Sequence, residues 1–326
     1  MSRVVIGRKS IIVLLDLYRV RVFWHQLNQP TLRMTMSDRA FGNWSALAVA
    51  IPLAVVGMTA CGDEDSQIDE LEETTIQFAA TVGDAPFACG ETYEHLGATA
   101  TTFEPFDFRV YISEVELQDI EGQWHKLELE QDTPWQYQQV ALLDFADGTA
   151  ECRNAPEETR DIITGTIAER EVQGLRFQIG VPFEHNHIDV STAPSPLNQT
   201  AMFWNWLGGY KFMRIEGATT GLDTGWQLHL GSTNCHPGDG PGAESCDNGN
   251  RITVELPDFE PEHHQVVIDL ATLVGTTDMD SHTDQTPAGC MAGVDDPDCT
   301  GLFEAMGLPH GDFHGGDQQF VHKMER

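Results

Sequence analysis

The chain has 326 residues, and its 18 Lys and Arg against 51 Asp and Glu give a formal net charge of −33 at pH 7. A surface this negative repels phosphates and therefore excludes nucleic acid as a partner, whereas it attracts cations and basic protein surfaces. The chain is long enough to bury a core, and its length fits one large domain or two small ones.

Near the N-terminus, an apolar run ends at a cysteine. Residues 44–60 (WSALAVAIPLAVVGMTA) are too short and too rich in small residues to favour a membrane-spanning helix, and Cys61 follows directly. The sequence MTAC at this junction resembles the acylation signal of bacterial lipoproteins. We predict that residues 1–60 comprise an over-extended start and a lipoprotein signal peptide, and that Cys61 is lipidated.

The segment after the cysteine predicts where the protein is held. Residues 61–74 are predominantly acidic and indicate a solvated tether between the lipid and a folded domain. Gly62, rather than an aspartate, follows the lipidated cysteine and favours the outer membrane. We expect an exported protein attached to a membrane through its lipid anchor, on the periplasmic face of the outer membrane or at the cell surface.

The periodicity of the remaining chain is mostly that of strands. Apolar residues alternate in TIQFAATV (75–82), GLRFQIGV (174–181) and RITVEL (251–256). Residues 108–130 predict two strands that turn near Glu121 and Gly122, and no segment has a long amphipathic helical pattern. We predict an all-β fold, an antiparallel β-sandwich with long disulfide-stapled loops over residues 75–308, followed by an irregular histidine-containing tail at 309–326.

Six cysteines remain after Cys61, and an even number in an exported protein predicts three disulfides. The short spacings predict local Cys235–Cys246 and Cys290–Cys299 bridges, which leave Cys89 to pair with Cys152. Other pairings remain open at this point. A zinc site is the alternative use of these cysteines, although the sequence contains no CxxC pair.

Histidines are the main candidate metal ligands. His185 and His187 stand two apart in EHNH, and histidines two apart on a strand would point the same way, which suits copper or zinc. His229 lies between Leu228 and Leu230, so it takes the opposite strand face from both leucines. The alternative is that these histidines are surface or loop-fixing residues.

The stretch MFWNW (202–206) places Trp204 and Trp206 one residue apart, directly before Gly208 and Gly209. In extended backbone both tryptophans would share one face. An aromatic ladder in the core is the plainer interpretation of this pattern. The chain has no GxSxG, HExxH, P-loop or Rossmann motif, which argues against an enzyme.

A succession of uncommon motifs resembles one known family. The motifs are PFACG, YEHLG, DFRVYISEVEL, VALLDF, GLRFQIGVPFEHNH, PLNQTAMFWNWLGGYKFMRI, HLGSTNC and GCMAGVDDPDC, in that order. Together they are similar to the MbnP-like proteins, also called the metallo-mystery pair four-Cys motif family. The resemblance runs from about residue 75 to residue 308.

This resemblance implies a copper-binding protein, holding Cu(I) or Cu(II), that acts in copper acquisition or homeostasis. It also implies a partner, a di-haem MauG-like or MbnH-like enzyme related to cytochrome c peroxidases, that oxidises a tryptophan to kynurenine near the histidines. The matching ligand positions are His187 and His229, with His185 as a spare. Trp206, which is nearer the glycines, is the first choice for the modified residue, and Trp204 is the second.

A non-catalytic surface adhesion or carbohydrate-binding sandwich is the alternative function. In that case the paired tryptophans would stack on sugar rings and acidic loops would bind calcium. The run DMDSHTD places Asp278, Asp280 and Asp284 at offsets similar to those of a calcium loop, but it lacks the glycine and the distal glutamate of an EF-hand. A solvated acidic loop is the simpler explanation.

Overall fold

The computed structural model describes residues 11–16, 19–24, 70–148, 152, 158–240 and 242–326. The predicted signal peptide, the lipidation site Cys61 and most of the predicted tether lie outside these residues. The chain divides into two compact units, residues 1–64 and 65–326. In the first unit, β1 (Ile11–Asp16) pairs antiparallel with β2 (Arg19–Trp24).

Strands are the main secondary structure of the second unit, as the alternating pattern predicts. In chain order they are β3 (Leu71–Val82), β4 (Ala85–Pro86), β5 (Tyr93–Leu96), β6 (Thr101–Asp119), β7 (Trp124–Lys126), β8 (Glu128–Leu129), β9 (Gln136–Tyr137), β10 (Val140–Asp144), β11 (Ile162–Ala168), β12 (Val172–Ile179), β13 (Phe203–Asn205), β14 (Gly209–Tyr210), β15 (Met213–Thr219), β16 (Trp226–Leu230), β17 (Thr233–Pro237), β18 (Ala243–Asn248), β19 (Ile252–Pro257), β20 (His264–Asp269), β21 (Gly289–Cys290) and β22 (Val321–Glu325).

Two main sheets pack face to face. The larger sheet has ten strands, six of which lie side by side in the order β19-β12-β6-β15-β16-β21. The smaller sheet has six strands, five of which lie side by side in the order β22-β20-β3-β11-β8. Phe78 of β3 and Phe177 of β12 meet edge to face across the interface, with ring centroids 5.7 Å apart. The predicted β-sandwich is confirmed, because each sheet turns one row of alternating apolar side chains inward.

The long strand β6 is unusual because its middle is buried on both faces. Phe108, Val110 and Ile112 enter the apolar core, whereas Asp107 and Arg109 on the opposite face are equally buried. On that second face, the Tyr111 hydroxyl donates to the carbonyl of Pro196 at 2.9 Å. The loop around Pro196 therefore covers a charged patch of the large sheet instead of leaving it to water.

Helices are few and short. They are α1 (Phe183–Asn186), α2 (Leu270–Val274) and α3 (Thr300–Met306), with single 3-10 turns at Thr200–Met202 and Pro297–Cys299. Among the described residues, none of these helices has the length and apolar character needed to cross a membrane.

Two predicted boundaries were wrong in part. Residues 71–74 belong to β3 and not to the acidic tether, because Leu71 and Glu72 pair with Ala168 and Ile167 of β11. The tail is also not irregular throughout, since β22 pairs antiparallel with β20. In both places backbone pairing with a distant strand orders a segment whose own sequence carries little strand signal.

All three predicted disulfides are confirmed: Cys89–Cys152, Cys235–Cys246 and Cys290–Cys299. Cys235 and Cys246 face each other in the β17–β18 hairpin, so this bridge staples two neighbouring strands. Cys290 and Cys299 are fully buried, so the third bridge lies in the core.

Candidate metal centre

The two neighbouring histidines of EHNH point to different places. The prediction that they share a strand face was wrong, because Phe183–Asn186 is a helical turn and His187 follows it. The His185 ring lies against Tyr137 with centroids 5.9 Å apart, and the His187 ring lies against Phe183 at 4.9 Å. Successive residues of a helical turn are rotated around its axis, so residues two apart diverge.

His187 is held beside a disulfide. Its Nε2 lies 3.6 Å from Sγ of Cys246 and 3.2 Å from Nδ2 of Asn186. Burial lowers the pKa of His187, and the backbone of Trp206 and Leu207 opposes that shift. Since Nε2 faces the donating amide of Asn186, Nδ1 carries the proton, and it is buried beside the backbone of Trp206 and Leu207. The imidazole is therefore neutral at pH 7, which is the form that binds metals.

Asn186 fixes this loop against the tryptophan stretch. Its Oδ1 accepts a hydrogen bond from the backbone N–H of Tyr210 at 2.8 Å, so its amide nitrogen faces His187 and Ser232. Gly209 has a φ of 74°, and a methyl group there would lie 2.3 Å from the carbonyl oxygen of Asn186. The second glycine after MFWNW is thus required by this close approach.

His229 is buried in the large sheet, with 5% of its surface exposed. Its Nε2 lies 2.7 Å from Oε1 of Glu216. A carboxylate only accepts hydrogen bonds, so Nε2 carries the proton and Nδ1 keeps its lone pair. That Nδ1 is buried without a hydrogen-bond partner. Burial lowers the pKa of His229, although the bond to Glu216 opposes the shift, so this ring is also neutral at pH 7.

Glu216 is in turn fixed by arginine. Arg214 donates from Nε to Oε1 at 2.8 Å and from Nη2 to Oε2 at 2.9 Å. Burial raises the pKa of Glu216, but the hydrogen bonds from His229 and Arg214 outweigh it and bring the pKa to about 2. The carboxylate is therefore ionised and oriented, and it supports the imidazole as acceptors do for metal-binding histidines.

A row of charged residues continues from His229 across four strands. His229 of β16 stands opposite Arg214 of β15, Arg214 opposite Arg109 of β6, and Arg109 opposite Asp144 of β10. Asp107 lies in the next row. Its carboxylate accepts hydrogen bonds from Nε of Arg109 at 2.7 Å and from Nη2 of Arg109, and Nη1 of Arg214 lies 3.1 Å from Oδ2 of Asp107. Burial raises the pKa of Asp144 to about 7, and the charge of Arg109 opposes this.

This network was not predicted. A signal for it exists in the sequence, because DFR (107–109) and RIE (214–216) each place charges two residues apart inside otherwise apolar strands. Charges with that spacing share one sheet face, and a charge flanked by core residues needs a partner. Which strands bring those faces together cannot be obtained from the spacing.

The two tryptophans occupy different environments. β13 ends at Asn205, whose Oδ1 accepts the backbone N–H groups of Leu207 and Gly208 at 3.0 and 2.8 Å. Trp206 therefore lies in a turn with 52% of its surface exposed. The predicted shared face, and with it the ladder of both rings in the core, is wrong because this turn ends the extended backbone.

Trp204 packs close to the strand that carries His229. A methyl group at Gly231 would lie 2.6 Å from Cζ3 of Trp204, so the indole rests directly on this glycine, two residues after His229. Trp204 also lines an open cavity of about 490 Å³ together with Cys235 and Met291. Trp204 therefore lies near both the Cys235–Cys246 disulfide, which contacts His187, and the end of β16.

Three further residues have structural roles. Trp226 is buried in the core and meets Phe103 edge to face at 6.0 Å. In the acidic loop, Asp278 accepts from the Ser281 hydroxyl at 2.6 Å, and Asp280 accepts from the Gly221 backbone N–H at 2.8 Å. These bonds organise turns, which agrees with the simpler explanation of that loop.

Groups of three potential ligand atoms are rare within the described ranges. One consists of His187 with Cys235 and Cys246, and the other of Asp147 with Cys89 and Cys152. The cysteines of both groups are disulfide-bonded, so they offer no thiolate in this state. Neither group includes His185 or His229.

Comparison with known proteins gives one family and one solved structure. The family model described as MbnP matches residues 72–292. The structure of MbnP from Methylosinus trichosporium superposes with a TM-score of 0.71 at 28% sequence identity, covering 78% of this chain and 99% of that one. A search of curated protein sequences gives no match.

Proposed function

Because this chain belongs to the MbnP family, we propose that it is a non-catalytic copper-binding protein in which a di-haem partner enzyme converts one tryptophan to kynurenine. His187 and His229 supply imidazole donors, and the modified tryptophan contributes the aryl amine. Copper is the cargo, taken up for acquisition or homeostasis. The negative charge of the chain concentrates cations near the surface, while nitrogen donors provide selectivity for copper over calcium or magnesium.

The observation that carries this proposal is the state of His229. A buried ring nitrogen that keeps its lone pair and has no partner costs free energy, and such groups call for an explanation. Metal coordination at Nδ1 supplies one, because Nε2–H already donates to Glu216 in the manner of a carboxylate behind a metal-binding histidine. His187, a neutral ring whose Nε2 keeps its lone pair, is the second donor.

Trp204 is the better candidate for conversion, although Trp206 is the choice from sequence. Trp204 contacts Gly231 beside the strand of His229 and shares a cavity with the disulfide that touches His187. Trp206 turns half of its surface to solvent. An amine formed by opening the Trp204 ring would therefore arise between the two histidine segments, and one formed from Trp206 would face water.

The conversion consumes an oxidant. The di-haem enzyme uses two hydrogen peroxide molecules, each of which delivers one oxygen atom to the C2–C3 bond of the indole. The other oxygen atom of each peroxide leaves as water. Hydrolysis then releases C2 as formate and frees the amine.

Mass spectrometry of paired variants tests this assignment. After treatment with the di-haem enzyme and peroxide, wild type and Trp206→Phe should show the kynurenine mass at residue 204, and Trp204→Phe should remain unmodified. Copper binding should tighten only in the converted proteins. Conversion of Trp206 in place of Trp204 would return the assignment to the sequence-based choice, and no conversion of any tryptophan would refute the partner reaction.

Membrane attachment is a separate part of the proposal. We expect Cys61 to carry the lipid, since acyl chains on one cysteine suffice for stable anchoring. Cys61→Ala protein should fail to be cleaved between residues 60 and 61 and should carry no acyl chains. Continued processing and membrane sedimentation of this variant would show that another segment provides the attachment.

A further inference from the structure

His187 and the Cys235–Cys246 disulfide bring three soft or borderline ligand atoms together. Nε2 of His187 and the two Sγ atoms all lie within 4.8 Å of one another. The shortest contact to the imidazole is 3.6 Å, from Sγ of Cys246. The amide of Asn186 donates to Nε2 at 3.2 Å, which identifies Nε2 as the nitrogen with the lone pair. That lone pair lies on the side of the ring that faces the sulfurs.

The hairpin that carries the cysteines keeps them opposed without the covalent bond. Cys235 and Cys246 are direct partners in the β17–β18 register, and the pairs Thr233 with Asn248 and His236 with Ser245 flank them. Backbone pairing on both sides fixes the direction of both side chains. Reduction would therefore leave two thiols next to each other and next to His187.

Access distinguishes this disulfide from the others. Cys235 and Cys246 are both partly exposed, and Cys235 lines the open cavity together with the thioether side chain of Met291. Cys290 and Cys299 are fully buried, and in the remaining bridge Cys89 is partly exposed whereas Cys152 is 4% exposed. Only the hairpin bridge therefore offers both of its sulfurs to an external dithiol, which matters because thiol–disulfide exchange needs direct attack on a sulfur atom.

We propose that reduction of Cys235–Cys246 creates a second metal site, in which two thiolates and Nε2 of His187 bind one Cu(I) ion. An external dithiol supplies two electrons and two protons, so the protein disulfide becomes two thiols while the dithiol becomes a disulfide. Cu(I) then displaces both thiol protons. Thiolate ligands select soft ions such as Cu(I), and an imidazole completes a three-coordinate set. The site shares His187 with the proposed function, so a chain fills one of the two sites at a time. It goes beyond that function because it uses the sulfurs and does not use His229 or a kynurenine.

The experiment compares Cu(I) uptake by the full chain before and after anaerobic reduction with a phosphine, in competition with a chromogenic Cu(I) chelator. We expect the reduced protein, produced without the di-haem enzyme, to retain one Cu(I) per chain that the oxidised protein loses to the chelator, with a thiolate-to-copper absorption band. The extra ion should also appear in His229→Ala, which separates this site from the proposed function. Absence of both the additional ion and the band in reduced wild type would overturn the proposal.

Cysteine variants locate the extra ion. Cys235→Ser/Cys246→Ser should lose it, His187→Ala should hold it at least about tenfold more weakly, and the matched control Cys89→Ser/Cys152→Ser should retain it. In the wild type, which needs no substitution, Cu(I) should protect Cys235 and Cys246 from alkylation after reduction. Retention of the extra ion by Cys235→Ser/Cys246→Ser, or equal alkylation with and without Cu(I), would contradict the assignment.

Discussion

Replacing His229 with alanine is expected to weaken copper binding by at least about tenfold, since loss of a residue that only supports a ligand already costs that much. The ring contributes a neutral imidazole whose Nδ1 is buried and unpartnered. Because burial lowers the pKa of His229, protons compete with copper only below the usual pH range of histidine. The copper affinity of the wild type should therefore stay constant as the pH is lowered to about 6.5, and it should decrease at lower pH.

Two controls accompany this measurement, which is a chelator competition at fixed pH. His185→Ala should bind copper as the wild type does, because that ring lies against Tyr137 whereas the His187 ring lies against Phe183. Glu216→Gln should bind copper more weakly than the wild type, because a neutral amide accepts the hydrogen bond from His229 Nε2–H less strongly than a charged carboxylate does. If His229→Ala retains wild-type affinity, His229 is not a ligand and its Glu216 bond serves the fold alone.

Asp107→Ala is expected to lower the free energy of unfolding by about 3–5 kcal/mol, the usual cost of removing one partner from a buried ion pair. Asp107 is fully buried and neutralises both Arg109 and Arg214, whose side chains are 2% and 9% exposed. Without this carboxylate, two guanidinium groups would lie close together on the covered face of the sheet. Asp144 lies 4.0 Å from Arg109 and Glu216 bonds Arg214, but neither replaces the one carboxylate that both guanidinium groups share.

Urea denaturation measures this effect, with Glu128→Ala as the matched control. Glu128 pairs with Lys126 at 3.2 Å, but its side chain is 68% exposed, so its loss should cost less than about 1 kcal/mol. A loss for Asp107→Ala as small as that of Glu128→Ala would mean that water reaches the arginines. Since Arg214 also orients Glu216, Asp107→Ala should in addition weaken copper binding.

The register of the large sheet links stability and binding in this protein. The row from Asp144 through Arg109 and Arg214 to His229 crosses four strands, so the charges that hold the covered face together also set the position of the imidazole. A buried network of this kind has few alternative arrangements in which every charge is paired. We infer that the rigidity of His229 is a property of the sheet and not of its local loop.

The local features of this protein could be predicted from its sequence. Period-two alternation in residues 75–82, 174–181 and 251–256 predicted strands that the structure contains, because alternation directly encodes one buried and one exposed face. The turn near Glu121 and Gly122 and all three disulfides were likewise predicted, since short spacings in a small set of cysteines limit the pairings. The family resemblance was also carried by contiguous motifs.

Which side chains come into contact depends on the three-dimensional fold. His187 contacts a disulfide 48 and 59 residues further along the chain, and His229 meets Glu216 and Arg214 because β15 and β16 pair in one particular register. A helical turn at Phe183–Asn186 separates His185 from His187, and an Asn205 turn separates Trp206 from Trp204. Such outcomes depend on long-range strand pairing and on tertiary packing that overrides weak local preferences, neither of which the spacing of residues along a chain encodes.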